Sequence, residues 1–196
     1  MSKKKKLGLG ALSMVILVLA VLCTLRIRKV NAMLPIPVST YQMNEAVNLR
    51  NRYEVSVVNV DFDDMDSLLE KYHINEEDYT AYDPTDEKWG KSERRLAVIT
   101  IEIHNPTNEV QTAEVVPSVN LLCKETDPSG SNIPLFNPDG SSIYMQLEPN
   151  QTVQVVLPYN FREPHYTTKG WEQIDTAPME LVLQNYPEKK VVTLRE

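Results

Sequence analysis

Beyond residue 50, apolar and polar positions alternate with a period of two over long stretches of the chain. Tyr53, Val55 and Val57 alternate with Glu54, Ser56 and Val58, and the run continues through Val60 to Phe62. This is the signature of a strand with one buried face, in residues that favour extended backbone. Arg94 to His104 carries the strongest strand pattern in the chain. It stops at Asn105-Pro106-Thr107-Asn108, where Pro sets φ and Asn tolerates turn geometry. Val110 to Leu122 is a third extended stretch, interrupted at Pro117. Ile143 to Leu147 follows, and then a strand from Thr152 to Leu157 that Pro158 ends. Turn signals at 127–130, 137–140 and 148–150 separate these runs. Met179 to Leu183 and Val191 to Leu194 form a closing hairpin across residues 186–190. Seven or eight short strands, with no repeated helix between them, predict a mainly β chain folded as an antiparallel sandwich over residues 51–196.

Two segments depart from this period. Residues 63–91 read as a helical insertion. Ser67 and Glu70 match a capping box, and Leu68, Leu69 and Tyr72 supply a short apolar face. Asn75, followed by Glu76, Glu77 and Asp78, is a second helix start, because acids suit the first turn. The other departure is the uncharged run at 7–25, preceded by Lys3 to Lys6 and followed by Arg26, Arg28 and Lys29. As a helix it is about 28 Å long at ~1.5 Å per residue, close to the hydrocarbon thickness of a bilayer. It reads as a retained transmembrane signal-anchor behind a basic tail at 1–6. The heavier basic cluster lies on the N-terminal side, which puts the N-terminus in the cytoplasm and the large domain outside. A signal peptide cleaved after Ala32 is the alternative. Cys23 lies inside the apolar run after Leu22, which disfavours a lipoprotein. Residues 26–50 read as a juxtamembrane linker, with Pro35 and Pro37 favouring extended backbone.

Charge sharpens the division. Residues 1–32 carry seven Lys or Arg and no acid, so a net charge of -7 for the whole chain leaves -14 on the remainder. An acidic domain disfavours nucleic acid as a partner. Cys123 stands alone in the large domain, so no disulfide forms within it. Its neighbours Leu121 and Leu122 mark it as a small buried hydrophobe. A disulfide-free exported domain of this size leans towards a bacterial surface protein.

Two phrases carry a family resemblance. Leu96-Ala-Val-Ile-Thr-Ile-Glu-Ile-His-Asn-Pro-Thr is a strand running into an Asn-containing turn. Leu147-Glu-Pro-Asn-Gln-Thr-Val-Gln-Val-Val-Leu-Pro-Tyr is a leucine, a proline turn, then a strand. With the N-terminal anchor, they resemble the immunoglobulin-like domains of unknown function carried by membrane-anchored Gram-positive surface proteins. The resemblance covers roughly residues 50 to 195. It implies an immunoglobulin-like sandwich and an exported location, and supplies no catalytic residues. Asn150 stands where that family usually has Gly, and either residue satisfies a turn.

Candidate chemistry is sparse. Asp61, Asp63, Asp64 and Asp66 form an acidic cluster, but the spacing fails the EF-hand template at positions 5, 6 and 12, which are Met65, Asp66 and Tyr72. A looser Ca²⁺ site competes with a plain helix-capping turn. His73, His104 and His165 lack metal-ligand spacing. No nucleophile elbow, Gly-rich phosphate loop or activated Cys is present. No cofactor is implied, and an enzyme is not expected. Tyr159, Phe161, Arg162, Tyr166 and Trp171 crowd one segment with His165 and Lys169. Aromatic and Arg residues favour partner contacts. The competing expectation is a loop that folds back over the open end of the sandwich. The sequence therefore points to a non-catalytic interaction module of the envelope, binding another envelope protein. A Ca²⁺- or ligand-sensing surface domain is the alternative, and a cell-surface hydrolase a more distant one.

Overall fold

The computed structural model describes residues 14, 17–29, 36–75, 92–114, 119–123, 136–137 and 144–196. The chain divides into two units, Met1–Pro37 and Val38–Glu196. In the first, residues 17–29 are helical (α1). Among the described residues no helix is long and apolar enough to cross a membrane. Most of residues 7–16, where the anchor was expected to begin, lie outside them.

The second unit is mainly β and sandwich-like. Its strands are β1 (Val38–Tyr41), β2 (Val47–Leu49), β3 (Tyr53–Asp64), β4 (Arg94–His104), β5 (Gln111–Ala113), β6 (Asn120–Cys123), β7 (Met145–Leu147), β8 (Thr152–Arg162), β9 (Met179–Gln184) and β10 (Lys189–Arg195). The described residues also include helices α2 (Met65–Lys71) and α3 (Thr168–Glu172). One sheet has the order β1-β10-β9-β6, the other β2-β3-β4-β8, and β5-β7 form a small ribbon. The described residues hold ten strands, where seven or eight were expected. The pairing is antiparallel except between β1 and β10, which run parallel with Val38 opposite Lys189.

That parallel pair corrects the linker expected over 26–50. From Val38 onward the chain belongs to the β unit: β1 edges one sheet and β2 the other. The prolines that suggested a stalk end at Pro37. Val47 and Leu49 of β2 are buried, and three alternating residues are too few to show a strand by period alone.

The inner faces of both sheets meet in one core. Val55, Val57, Ile99, Ile101, Ile103, Val155, Leu157 and Phe161 come from one side. Leu121, Cys123, Met179, Leu181, Leu183 and Val192 come from the other. β3 holds its face through a bulge. Val57 pairs with Ile101, but Asn59 pairs with Thr100, so Val58 is the extra residue. The inward parity switches from 53, 55 and 57 to 60 and 62, and a bulge is the device that allows this. The switch sends Asp61 and Asp63 to the outer face, opposite Val98 and Leu96.

On that outer face Met65, Leu68 and Leu69 of α2 pack against Leu96, Val98 and Phe136. This explains the unbroken apolar run at the start of β4, since a strand covered on both sides stops alternating. The insertion expected over 63–91 thus begins as strand, with the helix starting at Met65. Its second proposed helix and the loop at 83–84 lie outside the described residues, as do Pro117 and residues 127–130.

β8 does not stop at Pro158 as expected but continues to Arg162. Val156 donates its N–H to Asn137 Oδ1 at 2.7 Å and accepts from Asn137 Nδ2 at 2.6 Å, so its amide faces away from β4. Two residues on, the Pro158 nitrogen faces the same outer edge. No ladder hydrogen bond is lost there, which is why an edge strand tolerates proline.

Candidate functional site

The crowded segment after β8 closes one end of the sandwich. The chain leaves β8 through a 3-10 turn at Glu163–His165, where Pro164 suits the first helical positions. Thr167 then caps α3, its hydroxyl accepting from Gly170 N at 3.1 Å. Gly170 leaves little room above that cap, because an added Cβ would stand 3.2 Å from Thr167 Oγ1.

The short helix drops Trp171 into the core and the turn after it drops Ile174 there, with Tyr166 and Ala177 packed against that core. Tyr166 stacks on the Trp171 ring at 5.6 Å between centroids, and the Arg95 guanidinium lies 5.6 Å from that ring. Trp171 Nε1–H donates to Glu93 Oε2 at 3.0 Å. Arg95 is held in turn by Asp175 at 3.0 Å. Arg195 fastens the loop from below, donating to the carbonyls of Ile174, Asp175 and Ala177.

This geometry corrects the binding set drawn from the sequence. Phe161 is fully buried and meets Phe62 edge to face at 5.6 Å. Its place on the inward parity of β8 puts it in the core. Trp171 is buried as the plug of the sandwich end. Tyr159 packs against the same core, and burial pushes its phenol well above the ordinary tyrosine range. Tyr159, Arg162 and Tyr166 keep partial exposure, and Tyr159 spends its buried part on the core. The segment is foremost a lid.

The four aspartates take structural roles. Asp64 caps α2, its Oδ1 accepting from Ser67 N at 2.9 Å and its Oδ2 from Ser67 Oγ at 2.6 Å. Ser67 is therefore the third residue of the helix, not its cap. Hydrogen bonds from Ser67 hold the Asp64 carboxyl below the usual range. Asp61 takes Lys71 Nζ at 2.7 Å, Tyr72 OH at 2.7 Å and Asn59 Nδ2 at 3.1 Å. Partial burial pushes the Asp61 carboxyl up, but those donors and the Lys71 charge outweigh it and leave it lowered. Burial, with the Asp61 hydrogen bond and charge added, pushes the Tyr72 phenol to about 12. Asp63 accepts from Asp64 N, and Asp66 pairs with Arg94 at 3.7 Å. Among the described residues no three His, Cys, Asp or Glu side chains could hold one metal ion.

The histidines are dispersed. His104 meets Thr152 across the β4–β8 pair, and His165 lies exposed in the 3-10 turn. His73 terminates α2 with φ 56°, and Ile74 N donates to Leu69 O at 2.8 Å. This is the left-handed helix stop usually given to Gly.

The site the sequence missed is Asn105, which is fully buried. Its Nδ2 donates to the carbonyls of Glu109, Leu147 and Glu148 at 2.8, 3.0 and 3.0 Å. Its Oδ1 accepts from Thr107 N and Thr107 Oγ1. Its backbone exchanges hydrogen bonds with Gln151 and Asn150. Asn150 sits at φ 60°, the left-handed position expected of a Gly-like turn residue. The two phrases that carried the family resemblance are therefore knotted together by one side chain. No local pattern signals it, because the partners lie 42 and 43 residues apart.

A family model described as a domain of unknown function (DUF5028) matches residues 38–190. Its start coincides with the first residue of β1. No curated protein matches. Among solved structures, a conserved hypothetical protein from Bacillus anthracis is 18% identical, with a TM-score of 0.44, over 77% of this chain and 94% of its own. An uncharacterized β-sandwich protein from Clostridium difficile 630 is 12% identical, with a TM-score of 0.41, over 81% and 96%. A functionally unknown protein from Listeria monocytogenes EGD-e is 9% identical, with a TM-score of 0.48, over 78% and 82%.

Proposed function

We propose that this chain, which belongs to the DUF5028 family of domains of unknown function, is a membrane-anchored extracytoplasmic interaction module that binds another envelope protein without catalysis. The immunoglobulin-like character of the sandwich and its place on a Gram-positive surface are parts of the same proposal.

The observation that carries it is the surface of α1. Leu17, Val18, Leu19, Val21, Leu22, Leu25 and Ile27 are each 48–67% exposed. Neighbouring positions on a helix point in different directions, so this helix presents apolar side chains all round. Such a surface is stable only in an apolar solvent or inside a large core. Lipid supplies that solvent, and the lysines before residue 7 set the orientation. The structural work done by the aspartates and by the aromatic lid supports a module that presents surface rather than reacting centres.

The test is topology in cells that express the full chain with a C-terminal tag. Alkaline carbonate should leave the chain with the membranes. Protease added to intact, wall-stripped cells should remove the tag. A soluble chain, or a tag protected until lysis, would refute the reading. Leu19→Asp with Leu22→Asp should release the chain from the membrane fraction.

A further inference from the structure

We infer that the parallel pair β1–β10 is a mechanical clamp: load applied between the start of β1 and the end of β10 shears the two strands along each other instead of peeling them apart. This is a property of the β unit alone and does not depend on the anchored reading above.

The first argument is direction. Val38 lies opposite Lys189 and Tyr41 opposite Val192, so the two strands run the same way from level starts. The end of β10 lies about 20 Å further on, at ~3.3 Å per residue over its seven residues. Force drawn out through Pro37 pulls β1 towards its own start. Force drawn out past Arg195 pulls β10 towards its own end. In a parallel pair these two pulls oppose each other along the strand axis, across the hydrogen bonds of the ladder. Bonds loaded in that way share the force and break together. Were the pair antiparallel, the same two points would lie at one end of the ladder, and its bonds would open one at a time. Parallel neighbours need a long connection, and here the connection is the chain from Tyr41 to Lys189, so the pair ties the two ends of the β unit to each other.

The second argument is what holds each strand. β1 is an edge strand, and β10 is its one partner among the described strands. Ser39 Oγ donates to Glu188 just before β10, and Tyr41 packs against the core. β10 is held from several sides. It pairs with β9 from Lys190 to Arg195. Val191 and Val192 are buried, and Arg195 donates to the carbonyls of Ile174, Asp175 and Ala177. β1 is therefore the strand that yields first, and under this load it leaves only by sliding along β10. Forced unfolding follows the rate of opening, so the β1–β10 ladder sets the load that the unit bears.

The test is atomic force spectroscopy on the full chain in detergent micelles, held by thiol-linked handles in a Cys23→Ser, Cys123→Ala background. Ile36→Cys with Glu196→Cys loads the pair in shear. Ile36→Cys with Tyr186→Cys, in the exposed turn beside the start of β1, loads it in peeling. Circular dichroism checks each fold. At one loading rate the first rupture in shear should need severalfold the force of the first rupture in peeling. Equal forces would overturn the inference. Ser39→Pro and Thr40→Pro, made separately in the shear pair, test the ladder itself. Consecutive strand residues turn their amides to opposite sides, so one of the two removes an N–H that bonds β10 and the other removes one that faces away. One variant should lower the shear force clearly more than the other; an unchanged force in both would overturn the clamp.

Discussion

At the scale of single residues, Asn105 has the most to lose. A buried carbonyl left without its donor costs about 1–3 kcal/mol, and the two amide protons of Asn105 serve the buried carbonyl of Leu147 and the part-buried ones of Glu109 and Glu148. Asn105→Ala should therefore lower stability by about 2–3 kcal/mol. Urea unfolding would show this as a lower midpoint with an unchanged slope. A loss near the level of an ordinary surface change would mean that water replaces the amide. Tyr72 offers a separate test through its phenol, which burial and Asp61 push to about 12. A folded-state value above the ordinary one means that its contribution is complete below about pH 10 and is lost as pH rises towards the folded value. Ultraviolet titration should find Tyr72 and Tyr159 still protonated at a pH where an ordinary exposed phenol has ionised. Replacing Asp61 with Asn should bring Tyr72 back towards the exposed group. The sequence marked Asn105 as a turn residue and went no further, because a partner 42 or 43 residues away leaves no local periodicity.

At the scale of elements, α2 shows how a local rule is overridden. Ser67 and Glu70 have the spacing of a capping box, yet the strand before them runs on to Asp64, which reaches the amide of Ser67 first. Asp64→Ala should then cost about 1 kcal/mol, the usual worth of a cap. Ser67→Ala, which leaves the capped amide in place, should cost less. The opposite ranking would restore Ser67 as the cap. Asp61 and Asp64 both have lowered carboxyl values. Their contribution is therefore present above the ordinary carboxylate range and is lost as pH falls below about 4. Melting temperatures from pH 7 to pH 3 should fall less steeply in the Asp61→Asn, Asp64→Asn double variant than in the parent. β4 was legible from its sequence because its alternation is long. β8 was read too short because Pro158 stops a central strand, and nothing local says that this strand is an edge.

At the scale of the whole molecule, the boundary at Val38 is the decisive correction. A chain starting at 51 would lose β1, β2 and the buried Val47 and Leu49. Each such side chain is worth about 1.5–3 kcal/mol, a large share of the ~5–15 kcal/mol that holds a domain together. Residues 38–196 should unfold in one cooperative transition, whereas residues 51–196 should give a broad, low-temperature one. Equal transitions would return residues 38–50 to the linker. The amino-acid sequence by itself determined the β class, the strands β3 and β4, the short helix and the split between a basic apolar end and an acidic domain. These depend on residue type and short-range period. Only the tertiary structure decided that the entering segment pairs in parallel with the last strand, that a bulge turns two aspartates outward, and that the aromatic segment is a lid. Each of those depends on which distant strand supplies a neighbour, and chain spacing does not encode that.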